Sequence, residues 1–147
     1  MRYVEARLGR VFVVRLEDGE VLHETIEEFA KNQKIEAAAV MVIGGIGKGS
    51  RLVVGPKNAD ARPVVPMEHV LGDVHEISGV GTIFPNEEGM LVSHIHVASG
   101  RGTSTKTGCI RRGVKVWQVA EVVIIEILGT SSRRRIDRET GFELLDP

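Results

Sequence analysis

The sequence predicts an α+β fold: an antiparallel-rich curled sheet, or a barrel, with one main helix packed on it. Three observations lead there. Only one segment spaces its apolar residues at the helical period. From Ile35 onward, short β-branched runs alternate with glycine-bearing breaks. Nothing in the 147 residues reads as a linker, a repeat or a low-complexity tract, so residues 1–147 form a single domain.

The elements follow in order. Met1 to Leu16 is rich in Val, Tyr, Phe and Arg, ends at the turn signal Glu17-Asp18-Gly19, and is expected to form a strand. EVLHETIEEFAKNQK then places Leu22, Ile26, Phe29 and Ala30 on one helical stripe, with acids early and Lys31 and Lys34 late, as the helix dipole favours. IEAAAVMVIGGIG reads as a strand because of its glycines. RLVVG, a proline-rich link, EHVLGDVHEISGVGTIF, MLVSHIHVAS, GVKVWQVA and EVVIIEILG follow at strand lengths. The tail RRRIDRETGFELLD carries a D-R-E-T-G turn between two short strands, a hairpin signature. Apolar residues face both ways in EVVIIEILG and MLVSHIHVAS, more than one helix of about fifteen residues can cover. A curled sheet with a subunit interface over the remainder is therefore expected. Patterning does not choose between dimer and trimer.

Composition narrows the function classes. The formal charge is −1, without the basic excess of a dedicated nucleic-acid binder. A lone cysteine cannot form an internal disulfide, and the N-terminus has scattered charges and no apolar core of a signal peptide. The longest apolar runs are too short to span a bilayer, so a cytoplasmic domain with no membrane association is the expectation.

Chemistry concentrates in SHIHVASGRGTSTKTGC, Ser93 to Cys109. His94 and His96 are two apart in a strand-like run, so both imidazoles share a face. Zinc takes N and S ligands at about 2.0–2.3 Å, and catalytic sites commonly use three protein ligands with one open position. Cys109 is the candidate third ligand. Gly100, Gly102 and Gly108 describe a reversal that would lay strand 90–99 beside a strand near 109–116, with the thiol opposite the histidines. A thiolate with two neutral imidazoles would leave a zinc site at +1, able to polarise water or bind a small anion. The alternative is a hydrogen-bonded histidine pair and a buried, inert cysteine.

Glu76, beside His75, sits where a buried strand would be apolar. It is either an exposed or paired acid, or a partner of a ligand histidine and candidate catalytic base. His23 and His69 read as surface residues. GGIGKGS, Gly44 to Ser50, fails the phosphate-loop pattern because Gly49 follows Lys48 and no helix comes next. It fails the dinucleotide pattern because position 50 is Ser. Its glycines point instead to a bulge or bend in a long strand. Arg133, Arg134 and Arg135 make the strongest basic cluster, with Arg111 and Arg112 a second; in a strand Arg133 and Arg135 would share a face, able to hold an anion or a partner's acids or to protect an edge. There is no Gly-x-Ser-x-Gly elbow and no Arg-Gly-Arg-Pro hook for the minor groove.

The order RLEDGE, helix, AAAVMVIGGIG, EISGVGTI, SHIHVAS, glycine-rich link, AEVVIIEILG and D-R-E-T-G-F-E-L-L resembles the plant and prokaryote conserved (PPC) domain, from about Leu16 to Leu145. The most specific matches are Glu76 with Gly79, the His94 and His96 pair, and Glu121. The resemblance implies an α+β fold assembling as a homotrimer. In plants the domain follows AT-hook segments and mediates assembly and partner binding while the hooks contact DNA; this chain resembles the stand-alone prokaryotic members. Some members look like metal binders through the histidine pair and a third histidine after Gly-Gly. Here that position is taken by Cys109 after Gly108, itself a good zinc ligand.

Three functions compete. The first is a trimeric assembly and binding module for protein partners or a small anionic ligand, carrying a zinc-type site at His94, His96 and Cys109. The second is a small zinc-dependent enzyme, hydrolytic or lyase-type, using that site with Glu76 as base. The third, a DNA-binding protein, is disfavoured by the near-neutral charge and the missing hook.

Overall fold

The computed structural model describes residues 1–111 and 113–147; Arg112, half of the second arginine cluster, lies outside the described residues. Among these are ten strands and one helix: β1 (Arg7–Glu17), α1 (Leu22–Asn32), β2 (Ala38–Ile46), β3 (Arg51–Pro56), β4 (Pro66–Val70), β5 (His75–Pro85), β6 (Leu91–Arg101), β7 (Ser104–Ile110), β8 (Val116–Leu128), β9 (Arg133–Ile136) and β10 (Glu143–Asp146). Eight strands form one sheet in the order β1-β8-β2-β5-β6-β7-β3-β4, each pairing antiparallel, and β9 with β10 makes the predicted tail hairpin. The sheet is open, with β1 and β4 at its edges, so the barrel alternative does not hold.

The inner face carries the core. Leu16, Val40, Val42, Ile83, Ile95, Val97, Val122 and Ile124 project from alternate positions of successive strands and meet Leu22, Ile26 and Ala30, the predicted stripe of α1. Phe29 of α1 meets Phe12 of β1 edge to face at 5.4 Å. Glu27 pins the helix to β6: its carboxylate accepts from the Ser93 backbone N–H (2.8 Å) and Oγ (2.6 Å). The helix therefore docks behind the strand that carries both histidines.

Several local expectations are corrected. The first strand starts at Arg7, not Met1. EHVLGDVHEISGVGTIF is two strands, parted at Leu71 to Val74, and GVKVWQVA with EVVIIEILG is one long strand, β8. The strand partnering β6 is 104–110 rather than 109–116; Ser104 to Thr107 are polar, and hydrophobic periodicity gives no sign of them. His23 is largely buried rather than on the surface, its Nδ1 lacking a hydrogen-bond partner among the described residues. His69, on β4, is half-buried.

The glycine bend is borne out. The register of β2 against β8 shifts between Gly44 and Gly45. Gly44 has φ +134°, and a Cβ there would lie 2.4 Å from the Val119 carbonyl oxygen. Only glycine fits both the conformation and the contact.

Candidate metal centre

A single row of register partners crosses the outer face of the sheet. It runs Val13, Val123, Met41, Val80, His96 and Cys109, one residue from each of β1, β8, β2, β5, β6 and β7. Partners opposite one another share a face, so Cys109 lies directly beside His96, and the period of two brings His94 to the same side. The hairpin from β6 into β7 at Gly102 and Thr103 puts the thiol there. Close approach of β5 fixes β6 from the other side: a Cβ at Gly79 would lie 2.4 Å from the His96 carbonyl oxygen.

The three ligand atoms lie within 4.8 Å of one another. The two Nε2 atoms are 3.0 Å apart, with ring planes at 68°. Without a metal, one imidazole donates its N–H to the other. His94 keeps an exposed edge, yet its pKa is pushed down to about 4 by desolvation, then by the positive charges of Arg134, His96 and Arg111. It is therefore neutral at physiological pH, the form that ligates. Cys109 is only 3% exposed, and burial pushes its thiol pKa up, against the opposing pull of Arg111, a backbone hydrogen bond from Ile95, and Arg134. Two imidazoles and a thiol that ionises on metal binding make an N,N,S donor set suited to zinc, so the residues present fit the ion.

The trio opens into a cavity of about 800 Å³. One wall is the end of β3 at Pro56 with the loop after it, including Arg62, and another is the β10 end of the tail hairpin, including Phe142 and Leu144. Arg134 of β9 also lines it. Sequence reasoning counts Arg134 in the basic cluster but gives the shared face to Arg133 and Arg135, leaving the residue between them no role of its own. The strand alternation sends Arg134 the other way: it is buried, while Arg133 and Arg135 are exposed and Arg135 pairs with Asp146 at 3.1 Å. The only available signal is that alternation, in a segment too short to show which face is inward.

Glu76 is not brought to the trio within one chain. It is exposed on β5 opposite Gly100, six residues along β6 from His94, or roughly 20 Å at the strand rise. It lines a separate shallow depression with Asp73, Arg101 and Trp117. It therefore cannot serve as base or ligand partner to the histidines of its own chain. Glu121 is likewise exposed, between Arg15 of β1 and Ile43 of β2.

The sequence profile of the Plants and Prokaryotes Conserved (PCC) domain matches residues 3–128. The chain belongs to this family. The PCC match begins earlier than the expected resemblance and stops before the tail hairpin. No curated protein matches the chain. Among solved structures, the fold is similar to a metal-containing protein from Archaeoglobus fulgidus (TM-score 0.86, 24% identity, 100% of both chains). It is also similar to a PPC protein from Pyrococcus horikoshii (TM-score 0.80, 23% identity, 98% of this chain and 99% of that one). A candidate DNA-binding protein from Ralstonia eutropha shares the fold more distantly (TM-score 0.70, 20% identity, 92% and 90%). No helix among the described residues is long and apolar enough to cross a membrane.

Proposed function

We propose that this PCC domain is a homotrimeric assembly and binding module that holds one zinc ion through His94, His96 and Cys109. The observation that carries the metal reading is the convergence of three donor atoms within 4.8 Å at the mouth of a cavity. The Archaeoglobus neighbour, described as metal-containing, agrees with it. Self-assembly is supported by the same outer face. Val13 is 84% and Val80 65% exposed, with Met41 and Ile43 exposed between them, a contiguous apolar surface that water does not favour. A cytoplasmic setting suits the site, since a reducing compartment keeps the Cys109 thiol available as a ligand.

The test is the metal content per chain of the purified, untagged protein and two variants. The wild type is expected to hold about one zinc per chain. His94→Ala and Cys109→Ser are each expected to lose most of it while keeping a cooperative melt. Full metal content in both variants would reject the ligand set.

A second reading, a small zinc-dependent hydrolase or lyase, is favoured by the open cavity beside the trio. It would have to draw its proton-transfer group from outside Glu76 of the same chain. DNA binding draws support only from the names of distant relatives; Arg51, Arg62, Arg111 and Arg134 line the cavity, and the net charge is −1. A salt-dependent shift of plain duplex DNA would revive it.

A further inference from the structure

The cavity beside the trio holds more positive charge than the metal reading uses. Arg134 is 4% exposed, yet its partners are neutral: Nε donates to the Val92 carbonyl at 3.2 Å and Nη2 to Thr82 Oγ1 at 3.0 Å. Among the described residues no carboxylate lies within ion-pair distance of it, whereas Arg10, Arg51, Arg101 and Arg135 each have one. A desolvated guanidinium with no carboxylate in contact is costly; Glu143 and Glu27 act on it only from longer range, so an anion in direct contact would be favoured there. Thr82 is the register partner of His94, which places that guanidinium beside the metal ligands.

The surroundings have the same sign. Arg51, Arg62, Arg111 and Arg134 line the cavity against two acids, Glu68 and Glu143, and Glu68 is already taken by Arg51 at 2.8 Å. A zinc ion on two neutral histidines and a thiolate adds a further positive charge. An ion in its open position would face this field, and a neutral water there would leave it uncompensated. An anion compensates both. The cavity, about 800 Å³, is much larger than an inorganic anion needs and lies in the range of small-molecule sites. Val92, Val64, Phe142 and Leu144 supply apolar wall.

We propose that the cavity binds a small organic anion, a carboxylate or a phosphate monoester. Its charged group sits between the guanidinium of Arg134 and the open metal position, and its apolar body lies against Phe142 and Leu144. The proposal rests on the metal reading. The tail hairpin gains a binding role from it, since Arg134, Phe142 and Leu144 all follow residue 128, where the family match ends.

The test is calorimetric titration of the zinc-loaded intact protein with benzoate, phenyl phosphate and the neutral benzamide. Zinc content is measured on the same samples. An aromatic anion is expected to bind at least tenfold more tightly than benzamide, and the stronger of the two anions identifies the headgroup. Arg134→Gln is expected to weaken that anion at least tenfold with zinc content unchanged. The wild-type comparison of charged and neutral probes needs no variant, so it stands even where loss of the buried guanidinium disturbs the hairpin. Zinc bound with no preference for anions over benzamide, or Arg134→Gln binding the anion as the wild type does, overturns the proposal and leaves the metal site standing. Absence of zinc in the wild type overturns the metal reading itself, and this proposal with it.

Discussion

His94 and His96 are legible from spacing alone, because a strand repeats every two residues and cannot put them on opposite faces. Cys109 is legible only as the residue left to complete a donor set, and the β6–β7 hairpin supplies the reason it fits. The chemistry of the thiol gives a pH prediction. Burial holds Cys109 protonated at neutral pH, so binding a metal must expel that proton. Zinc affinity, measured by chelator competition, should rise roughly tenfold per pH unit between pH 7 and 8. It should lose that slope in Cys109→Ser; an equal slope in the variant would remove the thiolate from the site. His94, at about 4, is already neutral in this range and contributes no such dependence. Arg134 is hidden in the sequence because three successive arginines look alike until one of them is seen to be buried.

A second charged residue works in the core-facing row of β8. Glu126 accepts from Arg10 Nε (2.8 Å), Arg10 Nη2 (2.7 Å) and the Arg10 backbone N–H (3.1 Å), and these bonds hold its carboxyl at about 2, well below the ordinary 4.5. A depressed pKa stabilises the fold fully above the unfolded value, and that contribution is lost as pH falls from about 4.5 through 2. Glu126→Gln should therefore melt roughly 2–4 °C lower at pH 7, the modest effect expected for a pair whose arginine is half-exposed. The difference from wild type should shrink as pH falls toward 2. A constant difference across that range would contradict the ion-pair account.

At the scale of elements, the helix, the tail hairpin and most strands are readable because each carries its own period or turn signal. Two strands escape the sequence, each for its own reason. β7 is a polar strand with no apolar alternation, and β8 looks like two strands because Gln118 takes φ +60° inside it, a local kink with no glycine to announce it. The glycine pair that faces this kink is readable. Gly44→Ala forces a Cβ against the Val119 carbonyl in a conformation that disfavours side chains, and should cost about 2–4 kcal/mol. Thermal unfolding measures this; a loss under about 1 kcal/mol would mean that β2 and β8 relax apart freely.

For the whole molecule, the apolar excess of the strands predicts a covered outer face, and the structure locates that excess from Val13 to Val80, ending at His96. An interface closing over this patch would border the metal ligands, so assembly and site would share an edge. If the proposed trimer closes over this patch, Val80→Asp should shift the mass in solution toward monomer, since a carboxylate cannot be buried unpaired in an apolar contact. An unchanged mass would place the interface elsewhere. The order of the strands across the sheet is beyond reach of the sequence, because it depends on pairings between segments far apart in the chain.

The most direct test of the central claim is X-ray absorption at the zinc edge of the metal-loaded protein. The account predicts a first shell with one sulfur at about 2.3 Å and two imidazole nitrogens at about 2.0–2.1 Å, completed by a light atom in the open position. A shell of nitrogen and oxygen alone, with no sulfur, would contradict it.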